Sequence, residues 1–234
     1  MTGKSEFGTS ASGRGSFIRR FLSNQWEILL LLVISTLLLL QVYLLYVDIQ
    51  SLSDLHGAIA VFADFDSFIV HRQIHVAAPA IFFPLIFILF CGRRPVWGRR
   101  YLDILGGYLV FRMTIQLIGL NILVFDSVTP RYLLMTQLLF FLPYSLMIWG
   151  WIYWRLDVIA RASNRLFFRL DCEGGHPRPI DYFVASFSSV FSASISGIKG
   201  NSARARILIL AHGFMIYDIM GLTLSRAVAL VQSR

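Results

Sequence analysis

Charge is scarce in this chain: only 15% of its 234 residues are Asp, Glu, Lys or Arg, against 56% that are hydrophobic. An ordinary soluble domain carries roughly a quarter charged residues, so that composition, with a mean hydropathy of +0.67, excludes one. Cysteine is nearly absent as well. Cys91 and Cys172 lie far apart, which excludes a disulfide framework and any clustered thiolate metal site. Cys91, at the end of an apolar run, reads as a packed or lipid-facing small residue. There is no glycine loop of the phosphate-cradling kind, no nucleophile elbow and no sustained pair of carboxylates. Neither an enzyme nor a bound cofactor is therefore expected. The net charge of +8 is confined to short segments beside apolar runs. It reads as membrane orientation rather than nucleic-acid binding.

What the chain has in plenty is long apolar runs. Residues 1–25 are rich in Ser, Gly and Arg and read as a disordered basic tail. Within them Ser16-Phe-Ile-Arg-Arg-Phe-Leu is similar to a twin-arginine export signal. The run that follows, 28–47, is about 20 residues, long enough to span, and no small-x-small cleavage site follows it. It reads as an uncleaved first helix. Further spans are expected at 76–92, 105–125, 132–154 and 207–225, the first of these short and interrupted by Pro79 and Pro84. The fourth span ends in Trp149-Gly-Trp-Ile-Tyr-Trp-Arg, an aromatic belt closed by a basic anchor. The expected fold is an all-α polytopic membrane bundle of about five transmembrane helices, with 180–192 as one re-entrant, pore-like helix. It divides into the tail at 1–25, helices at 26–126 and a C-terminal module at 131–234.

Lys4, Arg14, Arg19 and Arg20 precede the first span, and Arg93, Arg94, Arg99 and Arg100 follow the second. Both groups belong in the cytoplasm, and the segment between them, with Asp48, Asp54, Asp64 and Asp66, belongs outside. Arg155, Arg161, Arg165, Arg169 and Arg178 then place the loop after the fourth span inside too. The N-terminus is expected in the cytoplasm.

Few polar groups lie within the spans, which makes each informative. Arg112 and Gln116 share a helix face and should look at protein rather than lipid. Asp218, an acid inside the last span, marks either a pathway or a buried pair, and Arg112 is its candidate partner. Ala205, Ile209, Gly213, Tyr217, Gly221, Ser225 and Ala229 recur at every fourth position, a mostly small stripe that lets another helix approach. Gly213 and Gly221 could alternatively act as hinges. His71 and His75 share a helix face and are weak candidates for a metal. An interfacial turn is the plainer reading of that pair, and no metal site is expected.

The order of elements in the last hundred or so residues is distinctive. Asp181-Tyr-Phe-Val-Ala-Ser-Phe-Ser-Ser-Val-Phe-Ser resembles the pore helix of potassium-channel-like modules built from an outer helix, a re-entrant loop and an inner helix. The residues that match are Asp181, Tyr182, Ser186 and Phe187. Where that family writes Thr-x-Gly-Tyr-Gly-Asp, this chain has Ser192, Ala193, Ser194, Ile195, Ser196 and Gly197. Trp151-Ile-Tyr-Trp-Arg-Leu-Asp157 and Leu224-Ser-Arg-Ala-Val-Ala-Leu-Val are similar to bacterial membrane proteins with glycine-poor versions of the module. The resemblance implies a homotetramer in a bacterial inner membrane, with Ser192 to Gly197 as constriction and Gly213, Asp218 and Gly221 on the inner helix. In such channels the loop opens to the outside, whereas the charge pattern puts this one inside. An inverted module, as in the glutamate-receptor channels, and a miscounted span both remain open readings.

A potassium filter aims rings of backbone carbonyls at the axis, with glycine where the chain enters left-handed regions. Ser194 and Ser196 would each incur about 1–2 kcal/mol there, so a serine-lined, less selective path is expected instead. Lys199 would repel cations if it faced a pore, and snorkels if it does not. The rival expectation is a non-conducting scaffold or accessory subunit, its partners lipid and another membrane protein. A transporter would need internal repeats, and none is seen.

Overall fold

The computed structural model describes residues 11–50, 60–61, 64, 68, 76–90, 97–125, 131–170, 177–192, 195 and 197–232. In chain order the elements are α1 (Ala11–Gln50), α2 (Ala78–Phe90), α3 (Gly98–Phe125), α4 (Arg131–Ala162), β1 (Phe168–Leu170), α5 (Pro179–Ser188), β2 (Ile198–Gly200) and α6 (Ala203–Gln232). Four helical stretches are long and apolar enough to cross a membrane: Gln25–Leu44, Gly98–Ile122, Met135–Ala162 and Ala203–Leu224. They fit an integral membrane protein, and the all-α expectation holds apart from one short hairpin.

Two boundaries differ from expectation. The first helix begins at Ala11, so 11–25, expected to be disordered, continue the helix of the first span. Extending an existing helix adds one hydrogen bond per residue fixed. The expected second span appears as α2, only 13 residues long. That is about 20 Å of helix, against the roughly 30 Å of a bilayer's hydrocarbon.

α4 is the axis of the bundle: α1, α3 and α5 all pack on it, while α1 and α3 touch each other little. Both α1 and α3 run antiparallel to α4. At one end Arg99 bridges Glu27 of α1 at 2.8 Å and Asp103 at 2.7 Å, and Asp103 is in turn held by Arg155 of α4 at 2.7 Å. The Trp151 indole donates to Glu27 at 3.4 Å. Half-way along, the Tyr144 hydroxyl donates to the Leu109 carbonyl at 2.8 Å. Further on, Gln41 donates to Gln137 at 3.1 Å. Gly106 makes this packing feasible, since a Cβ there would lie 2.0 Å from the Trp151 ring. Arg99 at the start of α3 and Arg155 near the end of α4 therefore meet at one end of the bundle.

Candidate functional site

Helix α5 is short, and its sequence explains both of its ends. Pro179 occupies the first turn, where a missing N–H costs nothing. The Asp181 carboxylate reaches back to accept from the Arg178 N–H at 2.6 Å, one arm of a capping box beside the positive end of the helix. At the other end the serines act on the helix's own last carbonyls. Ser188 Oγ donates to Ala185 O at 2.8 Å, Ser189 Oγ to Ser186 O at 2.6 Å and Ser192 Oγ to Ser188 O at 3.0 Å. The serine run thus adds hydroxyl donors to the carbonyls of the last turn, where Ser186 O and Ser188 O also accept from the N–H groups of Ser189 and of Phe191 and Ser192.

Three contacts fix α5 along α4. Nearest the charged end, the buried Tyr182 hydroxyl donates to Asp157. Asp157 is wholly buried and also receives Arg161 Nε at 2.6 Å and the N–H groups of Phe167 and Phe168 at 3.3 and 3.1 Å. One carboxylate therefore joins the end of α4, the start of β1 and the start of α5. Burial above all, and then the bond to Asp157, push the Tyr182 phenol up, so it remains a proton donor. Next, Phe183 lies against Gly150, where a Cβ would come within 2.5 Å of the ring, and edge-on to Trp26. Deepest, Ser186 Oγ donates to the Leu146 carbonyl at 2.8 Å. From Asp157 to Leu146 is about 16 Å along α4.

The chain then returns. After the turns through Phe191, Gly197 adopts φ +83, a left-handed conformation natural to glycine. β2 pairs antiparallel with β1, Ile198 opposite Leu170 and Gly200 opposite Phe168. Asn201 N–H adds a bond to Phe167 O at 3.0 Å. β1 follows α4 directly, across an Asn164 cap in the left-handed region at φ 53. The segment from 178 to 200 therefore starts and finishes at the same end of the bundle.

At the far tip of α5 a buried histidine ties three helices together. His212 of α6 meets the Tyr153 hydroxyl of α4 through Nδ1 at 2.9 Å and Ser189 Oγ through Nε2 at 3.4 Å. It stacks on Trp149 at 4.7 Å, whose indole N–H contacts Met215 Sδ at 3.2 Å. Beside it, Val190, Phe191, Ser192 and Ile195 and, from α6, Ile209, Leu210, Gly213, Phe214, Ile216, Tyr217 and Met220 line a groove of about 620 Å³. Phe191, Leu210, Phe214 and Tyr217 are exposed around it.

The residues singled out in sequence divide as follows. Asp181, Tyr182 and Ser186 hold α5 in place, and Phe187 is partly exposed on its outer side. Ser192, Ile195 and Gly197 lie on the returning segment, whereas Ala193, Ser194 and Ser196 lie outside the described residues, as do His71 and His75. Gly213 and Gly221 have open space where a Cβ would project, Gly213 within the groove beside the α5 tip and Gly221 on an exposed part of α6. Asp218 points elsewhere, into the bundle, and accepts from Asn121 Nδ2 at 2.8 Å. The structure does not join Asp218 to Arg112, which is buried about 13 Å back along α3, within electrostatic reach of Tyr108 and Tyr144. No three His, Cys, Asp or Glu side chains converge on a metal position among the described residues. Sequence reading passed over Asp157, Tyr153 and His212 as a fixing system. The Asp157–Arg161 spacing, one helical turn, was the available signal.

No protein-family model matches the chain, and no curated protein or solved structure matches it either.

Proposed function

We propose that the α4–α5–α6 unit is a re-entrant module of the channel type, which assembles as a homotetramer and passes ions through a weakly selective constriction formed by Ser192 to Gly197. The observation that carries this reading is the path of the chain. α5 runs part-way along α4 from the charged end, turns, and comes back to the same end beside an uncovered face of α6. A half-helix that stops within hydrocarbon needs its terminal carbonyls satisfied, and the N–H groups of residues 189–192 together with the serine hydroxyls do this. Its C-terminal end carries the negative pole of the helix dipole and favours a cation nearby. α1 and α3 cover α4, so the face left for other copies lies on α6 and at the α5 tip.

A second reading has its own observation. The α6 face around the groove is built from Ile207, Leu210, Phe214, Tyr217 and Leu224, and Ser188, Ser189 and Ser192 each donate a hydroxyl to a carbonyl of the chain just before them. A non-conducting subunit that packs this face against another membrane protein has the same surface.

Ion flux into liposomes from purified protein separates the two. The channel reading expects flux in the wild type and its loss in Ser194→Trp with folding retained. Well-folded wild type that passes no ion at any voltage contradicts it and favours the scaffold.

A further inference from the structure

Away from the α5 module, the far half of the seam between α1, α3 and α4 holds an unusual set of side chains for the interior of a membrane bundle. Ser35 and Gln41 of α1 and Gln137 of α4 are exposed by only 2%, 1% and 3%. Gln41 Nε2 donates to Gln137 Oε1 at 3.1 Å. That single bond leaves Gln41 Oε1, Gln137 Nε2 and Ser35 Oγ buried with no hydrogen-bond partner, and Gln116 Oε1 of α3 is in the same position. The antiparallel register brings Gln116 to this level. From the Tyr144–Leu109 bond, about two turns or 10 Å along each helix reach Gln137 on α4 and Gln116 on α3. Reversing the amides does not remove the shortage. Turning both over exchanges donor for acceptor and still leaves one of each open, and turning one over sets like atoms against each other.

An amide group left dry in hydrocarbon loses several kcal/mol, and three such amide atoms, on Gln41, Gln137 and Gln116, at one level, with the Ser35 hydroxyl about 9 Å back along α1, are not a tolerable dry core. A buried water typically makes about three hydrogen bonds to such groups. α1 and α3 flank α4 with little contact between them, which leaves a seam for it. We propose that this seam is a hydrated site, a crevice holding water or neutral hydrogen-bonding solutes of similar size, entered from the end of the bundle opposite the Glu27–Arg99–Asp103–Arg155 network. It lies within one chain and does not depend on the re-entrant module.

Cysteine reactivity tests it. Cys91 and Cys172 are replaced by serine, and Ser35→Cys, Gln137→Cys and the lipid-facing controls Val33→Cys and Leu139→Cys are compared in proteoliposomes. A hydrophilic methanethiosulfonate reacts with thiolate, which forms only where water solvates it, so Ser35→Cys and Gln137→Cys should react at least about tenfold faster than both controls. Ser35→Cys is nearly isosteric and keeps the test open if Gln137→Cys fails to fold. Rates at Ser35→Cys no higher than those at Val33→Cys and Leu139→Cys would overturn the proposal.

Discussion

Asp157 does more to position the candidate site than any residue with recognisable chemistry. It accepts from Tyr182, Arg161 and two backbone N–H groups at full burial. Removing it strands all four donors at once. Asp157→Ala should therefore lower stability by about 3–5 kcal/mol, the range for breaking a buried charged pair, seen as reduced Tm in detergent. Asp157→Asn keeps one acceptor oxygen and should lose less. A similar contrast exists between glycines. Gly150→Leu forces Phe183 and with it α5 off α4, for about 1–3 kcal/mol or more, whereas Gly213→Ala projects into open space within a helix and should hold or raise Tm in the monomer. Equal effects from the two would show that α5 does not pack where described.

At the scale of elements, legibility followed the range of the interactions. α5 was readable because its determinants are local: Pro179 and Asp181 start it, and the serine run ends it. Its helix stops at Ser188, four residues short of the expected 180–192, and turns continue through Phe191. The β1–β2 hairpin was not readable, since three-residue strands carry no alternation to detect. Nor was the Asn121–Asp218 bond, which depends on how far α6 advances beside α3. Arg112 seemed the natural partner because charge was the only criterion the sequence offered. The position of α6 beside α3 decides otherwise: it brings Asp218 to Asn121, nine residues along α3 from Arg112. A testable consequence concerns the tip of α5. Ser189→Ala removes both a carbonyl cap and a contact to His212, and should cost about 1 kcal/mol and loosen the α5 tip. Faster proteolysis or hydrogen exchange at 189–197, with the rest of the chain unchanged, is the expected readout.

For the whole molecule, the uneven covering of the helices is the main fact. Half of the α4 span is buried, whereas 28% of the α6 span is. In a bilayer that difference assigns α6, with Gly213 and Gly221 on its open face, to lipid or to another chain. If it is another copy, Gly213→Leu and Gly221→Leu should convert the assembly to monomers in detergent, by light scattering, with Tm little altered. Persistence of the assembly in both variants would place the interface elsewhere.

The chain from 178 to 200 enters and leaves the bundle at one end. Single cysteines at Ser163 and Ala203, labelled with a membrane-impermeant maleimide in sealed vesicles of known orientation after replacement of Cys91 and Cys172, report whether it does so in a bilayer. Both are exposed, one just after α4 and one at the start of α6. Labelling of Ser163→Cys and Ala203→Cys from the same face is the predicted result. Labelling from opposite faces would mean that the α5 segment crosses the bilayer, and would contradict the account.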